Sequence, residues 1–230
     1  ERDVLEQNVA KLETGPALEA GPIISGKPKT AGGEPVSPPF DLSRTLGTVL
    51  EANDADVDAA LDAAVKFQQQ WDQLGGAKRA RILSAMGDAL ENNMDRLCAL
   101  MAEEGGKTFG DGIAEVREAV DFCRYYAIQA EEKFEGQTRL PGPAGETNHI
   151  SLHGRGVFAC ISPWNFPLAI FTGQLTAALG AGNTVVAKPA EQTPLIAYEA
   201  VRLFHAAGLP GEALHLLPGR GETVGAKLTR

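Results

Sequence analysis

Three short runs in the second half of the chain carry residue types that could do chemistry. Ser162-Pro163-Trp164-Asn165-Phe166-Pro167 places a carboxamide in a proline-flanked turn. An amide held that stiffly can donate a hydrogen bond to an oxyanion, and it can equally stabilise its own turn. Lys188-Pro189-Ala190-Glu191 sets an acid beside a base. After the second strand of a nucleotide-binding fold, an acid commonly takes the ribose hydroxyls of adenosine; next to Thr193 it can also serve as an ordinary helix-start acid. A carboxylate there repels a 2′-phosphate and favours NAD over NADP, a preference that Lys188 can offset. Gly219, Gly221 and Gly225 make a GxGxxxG spacing that also fits a plain strand-to-helix turn. The usual GxGxxG cradle is missing after the first strand, so a dinucleotide would have to be held differently.

The remaining reactive side chains suggest less. Cys98, Cys123 and Cys160 are odd in number and lack metal-ligand spacing, which fits free thiols in a reducing compartment. Cys160 lies in an apolar strand with no basic neighbour to lower its pKa, so it reads as a buried structural thiol, as do the other two. His149, His153, His205 and His215 are scattered and suggest no metal site.

These runs need a scaffold, and hydrophobic periodicity supplies one. Val157 to Ile161 is a short buried-type strand, Leu168 to Leu179 a helix ended by Gly180 and Gly182, and Thr184 to Lys188 a second strand. Thr193 can cap a helix with Pro194 at its first position, running to Ala207, before a third strand at Ala213 to Leu217. The order βαβαβ in about 60 residues is the size of one half of a doubly wound parallel sheet, whose ligands sit at the strand carboxyl ends. All three chemical runs fall there.

Upstream the pattern is helical. A helix begins at Asn53 or Asp54 and carries Val57, Leu61, Ala64 and Trp71 on one face. A second stripe runs from Ile82 through Met86, Leu90, Met94 and Leu97 to Met101, closed by Gly105 and Gly106. A third holds Ile113, Val116, Val120, Cys123 and Ala127, with Asp111 and Glu115 near its start where the helix dipole favours acids. Asp3 to Leu12 is polar and periodic, as if the chain had been cut from something longer, and Gly15 to Pro39 is Gly- and Pro-rich and reads as extended chain wrapping a surface. Gly136 to Gly145 is a turn-rich break, followed by Thr147 to Leu152, which reads with Val157 to Ile161 as a hairpin-like arm around Gly154 and Gly156.

Composition narrows the class. The hydrophobic content of 43% is ample for a core, and the formal net charge of −9 argues against a nucleic-acid partner. No apolar run approaches the roughly 20 residues of a membrane helix, and no signal peptide opens the chain, so a cytoplasmic location without membrane insertion is expected.

Three motifs in order resemble the NAD(P)-dependent aldehyde dehydrogenase superfamily: PWNFPL at 163–168, GNTVVAKPAEQTP at 182–194 and GLPGEALHLLPGRG at 208–221. GKTFGDGIAEVREAVDFCRYYA at 106–127 and CISPWNFPLAIFTGQ at 160–174 look like the 1-pyrroline-5-carboxylate dehydrogenase module of the proline utilization A flavoenzymes. The resemblance extends from about Gly15 to Arg230.

It implies thiolate attack on an aldehyde, an oxyanion held by hydrogen bonds, hydride transfer to the nicotinamide and hydrolysis with a glutamate as general base. By matching position Asn165 is the oxyanion donor, Lys188 and Glu191 bind the adenosine ribose, and Ile161, Ser162, Pro163 and Trp164 line the cofactor groove. Gly221 and Gly225 belong to a loop near the adenine, Phe166 borders the aldehyde channel, and Glu118 approaches the substrate. The nucleophilic cysteine and the general-base glutamate are expected beyond Arg230, so the chain alone should be inactive.

The implied fold is α/β and aldehyde dehydrogenase-like but incomplete, a helical segment followed by a partial Rossmann-like parallel sheet. The implied division is an extended segment at 1–52, a helical part of the NAD-binding domain at 53–135, an oligomerisation-type arm at 136–155 and the first βαβαβ half at 156–230, with no catalytic domain. The implied partners are a small aldehyde and further copies of the enzyme, with FAD only if a proline dehydrogenase domain precedes the chain. The implied reaction is NAD-dependent oxidation of L-glutamate γ-semialdehyde to L-glutamate in proline catabolism. Another aldehyde, or a non-catalytic dinucleotide-binding or oligomerisation module, is the alternative.

Overall fold

The computed structural model describes residues 2–230. Helix α1 (Arg2–Thr14) follows the periodicity of residues 3–12 and buries Leu5. The Gly- and Pro-rich stretch after it is extended, and it pairs: β1 (Leu18–Ala20), β2 (Ile23–Ile24), β3 (Lys27–Pro28) and β4 (Glu34–Val36) precede β5 (Gly47–Val49). Strand β5 lies between β1 and β4 in a small sheet. Pairing of such short, polar strands is set by what lies beside them, which is why periodicity missed them.

Asn53 opens α2 (Asp54–Gln73) with a reciprocal capping box, its side chain accepting from the Asp56 N–H and the Asp56 carboxylate accepting from its own N–H. The stripe expected as one helix from Ile82 to Met101 is two, α3 (Gly76–Asn92) and α4 (Met94–Gly105). The break is at Asn93, whose side-chain amide donates to the Ala89 carbonyl at 2.8 Å while its N–H turns back to Leu90. An asparagine that bonds its own backbone competes with the helix ladder, and the apolar stripe continues through the kink undisturbed. Helix α5 (Phe109–Phe134) starts at Thr108, whose hydroxyl accepts from the Asp111 N–H.

The expected arm is a hairpin, but its strands are β6 (Thr138–Leu140) and β7 (Asn148–Ile150), paired antiparallel across the turn-rich stretch. Gly154 and Gly156 do not reverse the chain. The Gly154 N–H donates to Asp72 Oδ1 at 2.8 Å, and Asp72 Oδ2 lies 3.0 Å from His153 Nδ1, so the root of the arm is tied to the end of α2. From there the chain enters β8 (Val157–Ile161), then α6 (Ala169–Gly180), β9 (Thr184–Lys188), α7 (Pro194–Ala206) and β10 (Leu214–Leu216).

The second sheet has the order β3-β2-β10-β9-β8. Strands β8, β9 and β10 are mutually parallel, as the βαβαβ pattern requires, while β2 from the N-terminal stretch adds antiparallel at β10. Strand β9 is buried along its whole length and β8 is an edge, with Phe158 and Ile161 each about two-fifths exposed. Helix α6 is apolar on all sides because it lies between this sheet and α5, and Phe171, Leu175 and Leu179 are fully buried. Its C-terminal carbonyls are met from the helical layer: the Trp71 indole donates to Leu179 O at 3.0 Å, and the buried Arg79 guanidinium to Gly180 O at 3.2 Å. Among the described residues no helix is long and apolar enough to cross a membrane.

Candidate active site

The carboxyl ends of β8 and β9 lie side by side, with Ile161 in register with Lys188 and the Ser162 N–H donating to the Lys188 carbonyl at 3.1 Å. The Ser162 hydroxyl donates to the Gln174 side chain at 3.0 Å, and that amide returns a bond to the Ile161 carbonyl at 3.3 Å. The start of the Ser162–Pro167 loop is therefore fastened both to the neighbouring strand and to α6.

Lys188 is buried, with 3% of its side chain exposed, and its ammonium donates to the Pro189 carbonyl at 3.0 Å. It also lies 3.6 Å from Glu191 Oε2, whose side chain is 41% exposed. Burial holds the lysine still, while the acid reaches solvent and keeps acceptor capacity for a ligand. Gly225 is packed on the lysine stem: a Cβ there would lie 3.6 Å from Lys188 Cδ and Cε. The glycine spacing opens a single π-helical turn, Gly221–Gly225, which runs into the short α8 (Ala226–Leu228), while Gly221 itself faces open space. The structure thus gathers Ile161, Ser162, Lys188, Glu191 and Gly225 at one end of the sheet. Trp164, Asn165 and Phe166 form the exposed crest of the adjoining loop. Pro163 is half-buried beneath it.

Two acids not read as site residues shape this end of the sheet. A dinucleotide-binding fold normally presents helix N-termini to the pyrophosphate. Here Glu115 Oε1 accepts from the N–H groups of Leu168 and Ala169, at 2.8 and 3.1 Å, at the start of α6. Glu104 accepts from Leu195 and Ile196, at 2.6 and 2.9 Å, at the start of α7. Both anion-binding positions are already filled by carboxyl groups from the helical layer. This agrees with the missing GxGxxG cradle and leaves the Gly221–Gly225 turn as the unfilled backbone beside Lys188.

Glu115 was expected to serve the dipole of its own helix. It faces inward instead, because it shares the buried side of α5 with Gly112, Val116 and Ala119, and its carboxylate also pairs with Lys107. Asp111 does serve the helix start, through Thr108. A signal for Glu104 was present: Met94, Leu97 and Met101 step by three and four, and the next position on that stripe is Glu104. An acid in an apolar stripe needs partners, and here they are another helix's N–H groups.

Glu118 stands apart, on the exposed side of α5, and makes no side-chain hydrogen bond or ion pair among the described residues. The thiols are not activated: burial pushes Cys98 and Cys160 up to about 11 and Cys123 up to about 12. Among the described residues no group of three or more His, Cys, Asp and Glu side chains could hold a metal ion.

Residues 28–230 match the aldehyde dehydrogenase family. The bifunctional protein PutA of Klebsiella aerogenes is 45% identical over 226 residues, which is 98% of this chain and 16% of that protein. A 1-pyrroline-5-carboxylate dehydrogenase of a Geobacillus species is 35% identical over 97% of this chain and 44% of its own length. The chain therefore spans less than half the length of these curated relatives. A crystal structure of the 1-pyrroline-5-carboxylate dehydrogenase from Thermus with bound NAD superposes with a TM-score of 0.94 at 32% identity, over 99% of this chain and 44% of that one. The α/β arrangement described above is part of that fold, and the chain belongs to the aldehyde dehydrogenase family.

Proposed function

We propose that this chain is part of the nucleotide-binding portion of an NAD-dependent dehydrogenase that oxidises L-glutamate γ-semialdehyde to L-glutamate in proline catabolism. The observation that carries the reading is the pairing of two loops at adjacent strand ends. One presents the Lys188–Glu191 pair and the other the Asn165 carboxamide. Similarity to PutA and to 1-pyrroline-5-carboxylate dehydrogenases supports the substrate.

The residues fit NAD. A solvent-reaching carboxylate with an immobile ammonium behind it offers an acceptor and a donor to a ribose diol, and the sealed helix starts exclude pyrophosphate from α6 and α7. Bound NAD supplies the hydride acceptor. Ile161, Ser162, Pro163 and Trp164 form the wall of its groove, and the turn containing Gly221 and Gly225 borders the adenine. Asn165 donates to the oxyanion, Phe166 borders the aldehyde channel, and Glu118 meets the substrate from α5. In this reading the nucleophile is none of the chain's own thiols, since burial holds Cys98, Cys123 and Cys160 in the protonated form.

In the same reading residues 53–135 and 156–230 belong to the NAD-binding domain, residues 15–39 wrap a surface of it after helix α1, which an extended segment at 1–52 did not allow for, and the arm at 136–155 joins copies of the whole enzyme in the cytoplasm. FAD is used only where a proline dehydrogenase domain precedes this segment.

NAD titration of the chain and of Glu191→Ala tests the cofactor assignment. The variant should bind roughly tenfold more weakly, the loss of about one charged hydrogen bond. Equal affinity would remove Glu191 from the site. For the substrate, an aldehyde panel on the full-length enzyme should be led by the γ-semialdehyde in kcat/KM.

A further inference from the structure

The Asn165 loop is held by an ion pair that the cofactor site does not use. Lys107 follows the end of α4 and Glu115 lies in the second turn of α5; they pair through Nζ and Oε2, with side chains 14% and 1% exposed. Four groups of one short stretch converge on them. The main-chain carbonyl of Asn165 accepts from Lys107 Nζ at 2.9 Å, and the Phe166 ring centroid lies 4.5 Å from the same nitrogen. The N–H groups of Leu168 and Ala169 donate to Glu115 Oε1 at 2.8 and 3.1 Å.

We propose that Lys107 and Glu115 are positioning residues that fix the Asn165 carboxamide where it donates to the oxyanion; the inference rests on the dehydrogenase reading of Asn165. Among the described residues the Asn165 side chain makes no hydrogen bond of its own, so its direction is set by its backbone and little else. Lys107 holds that backbone by the carbonyl and leaves the side-chain amide free. A donor is effective when it is aimed before charge develops, and a displacement of about 1 Å can cost on the order of 10²-fold in rate.

Capping α6 alone would not require this arrangement. Glu115 Oε1 satisfies the two N–H groups by itself, whereas Lys107, beyond its pairing with Glu115, reaches Asn165 and Phe166 and neither N–H group. A buried pair with every polar atom partnered is also more than filling the space demands, since apolar side chains of the same volume serve packing as well or better.

A double-mutant cycle in the full-length enzyme carrying this segment tests the proposal. Lys107→Met keeps the stem over Phe166 and removes the donor. It should lower kcat about tenfold to 10²-fold with NAD affinity nearly unchanged, and it should lower the urea midpoint because Glu115 loses its buried partner. In an Asn165→Ala background, itself about 10² to 10³-fold slower, the same substitution should cost less than about twofold, because nothing is left to aim. Glu115→Gln keeps acceptors for Leu168 and Ala169 but releases the ammonium, and should reproduce the pattern should Lys107→Met fold poorly. Equal losses in both backgrounds would overturn the positioning role while leaving Asn165 as the oxyanion donor. Wild-type turnover by Asn165→Ala would overturn both assignments.

Discussion

A carboxyl group buried at the start of a helix is pulled two ways, since the helix N–H groups favour its anion and the loss of water favours its neutral form. At Glu104 burial is the larger effect and pushes the pKa from 4.5 up to about 8, against the two hydrogen bonds from Leu195 and Ile196. The folded state therefore keeps a proton that the unfolded chain releases above about pH 4.5. Stability contributed by that proton is fully present below the unfolded value and is lost as pH rises towards the folded one. Urea unfolding of the chain should show stability falling by about 3 kcal/mol between pH 5 and 8 from this group, and Glu104→Gln should flatten that slope. A wild-type profile level across the window would mean that the two N–H groups outweigh burial. Glu115 fills the equivalent place at α6 but takes both N–H groups on one oxygen and Lys107 on the other, whereas Glu104 gives one oxygen to each N–H.

Helices α6 and α7 owe their positions to ends as much as to faces. Residues from α2, α3, α4 and α5 satisfy their terminal backbone groups, namely Trp71, Arg79, Glu104 and Glu115. Neither a cofactor nor bulk water is needed there, which shifts the free backbone donors to the third strand end. The capping box on α2 is local by contrast: the sequence offered Asn53 or Asp54 as the start, and the reciprocal bonds between Asn53 and Asp56 decide for Asn53. Asn53→Ala should cost about 1 kcal/mol in urea unfolding. A cost near zero would mean that water replaces the asparagine at no loss. The kink at Asn93 was hidden in the same stretch of sequence, because a continuing hydrophobic stripe does not record a local change in hydrogen bonding.

The helical layer, the arm and the parallel sheet meet at Gly154. A Cβ at that position would lie 2.1 Å from the Gly182 carbonyl oxygen and 2.8 Å from the Gln68 amide, and the Gly154 N–H is already spent on Asp72. Gly182 has φ +88° and would itself meet Asp72 Oδ1 at 2.3 Å if it carried a side chain. Gly154→Ala should therefore lower stability by about 2 to 3 kcal/mol and loosen the arm, seen as faster hydrogen exchange in residues 138–150. Unchanged stability together with unchanged exchange would show that the junction yields more easily than two opposed backbones should.

The sequence by itself determined the βαβαβ order, a helix start at Asn53 or Asp54, and the places where Asn165, Lys188 and Glu191 fall; it placed the α7 start at Thr193 as well, but that hydroxyl makes no cap bond and Glu104 takes the role. The first three depend on neighbours within a few residues, where hydrophobic period, capping and turn chemistry act. Only the tertiary structure decided that β2 would border β10, that the arm would fold on β6 and β7, and that Glu104 and Glu115 would occupy other helices' starts. The β2–β10 pairing and the two acid caps turn on partners 53 to 193 residues away in the chain, and a buried polar atom chooses its partner by what the packed fold brings within 3 Å, which no local pattern encodes.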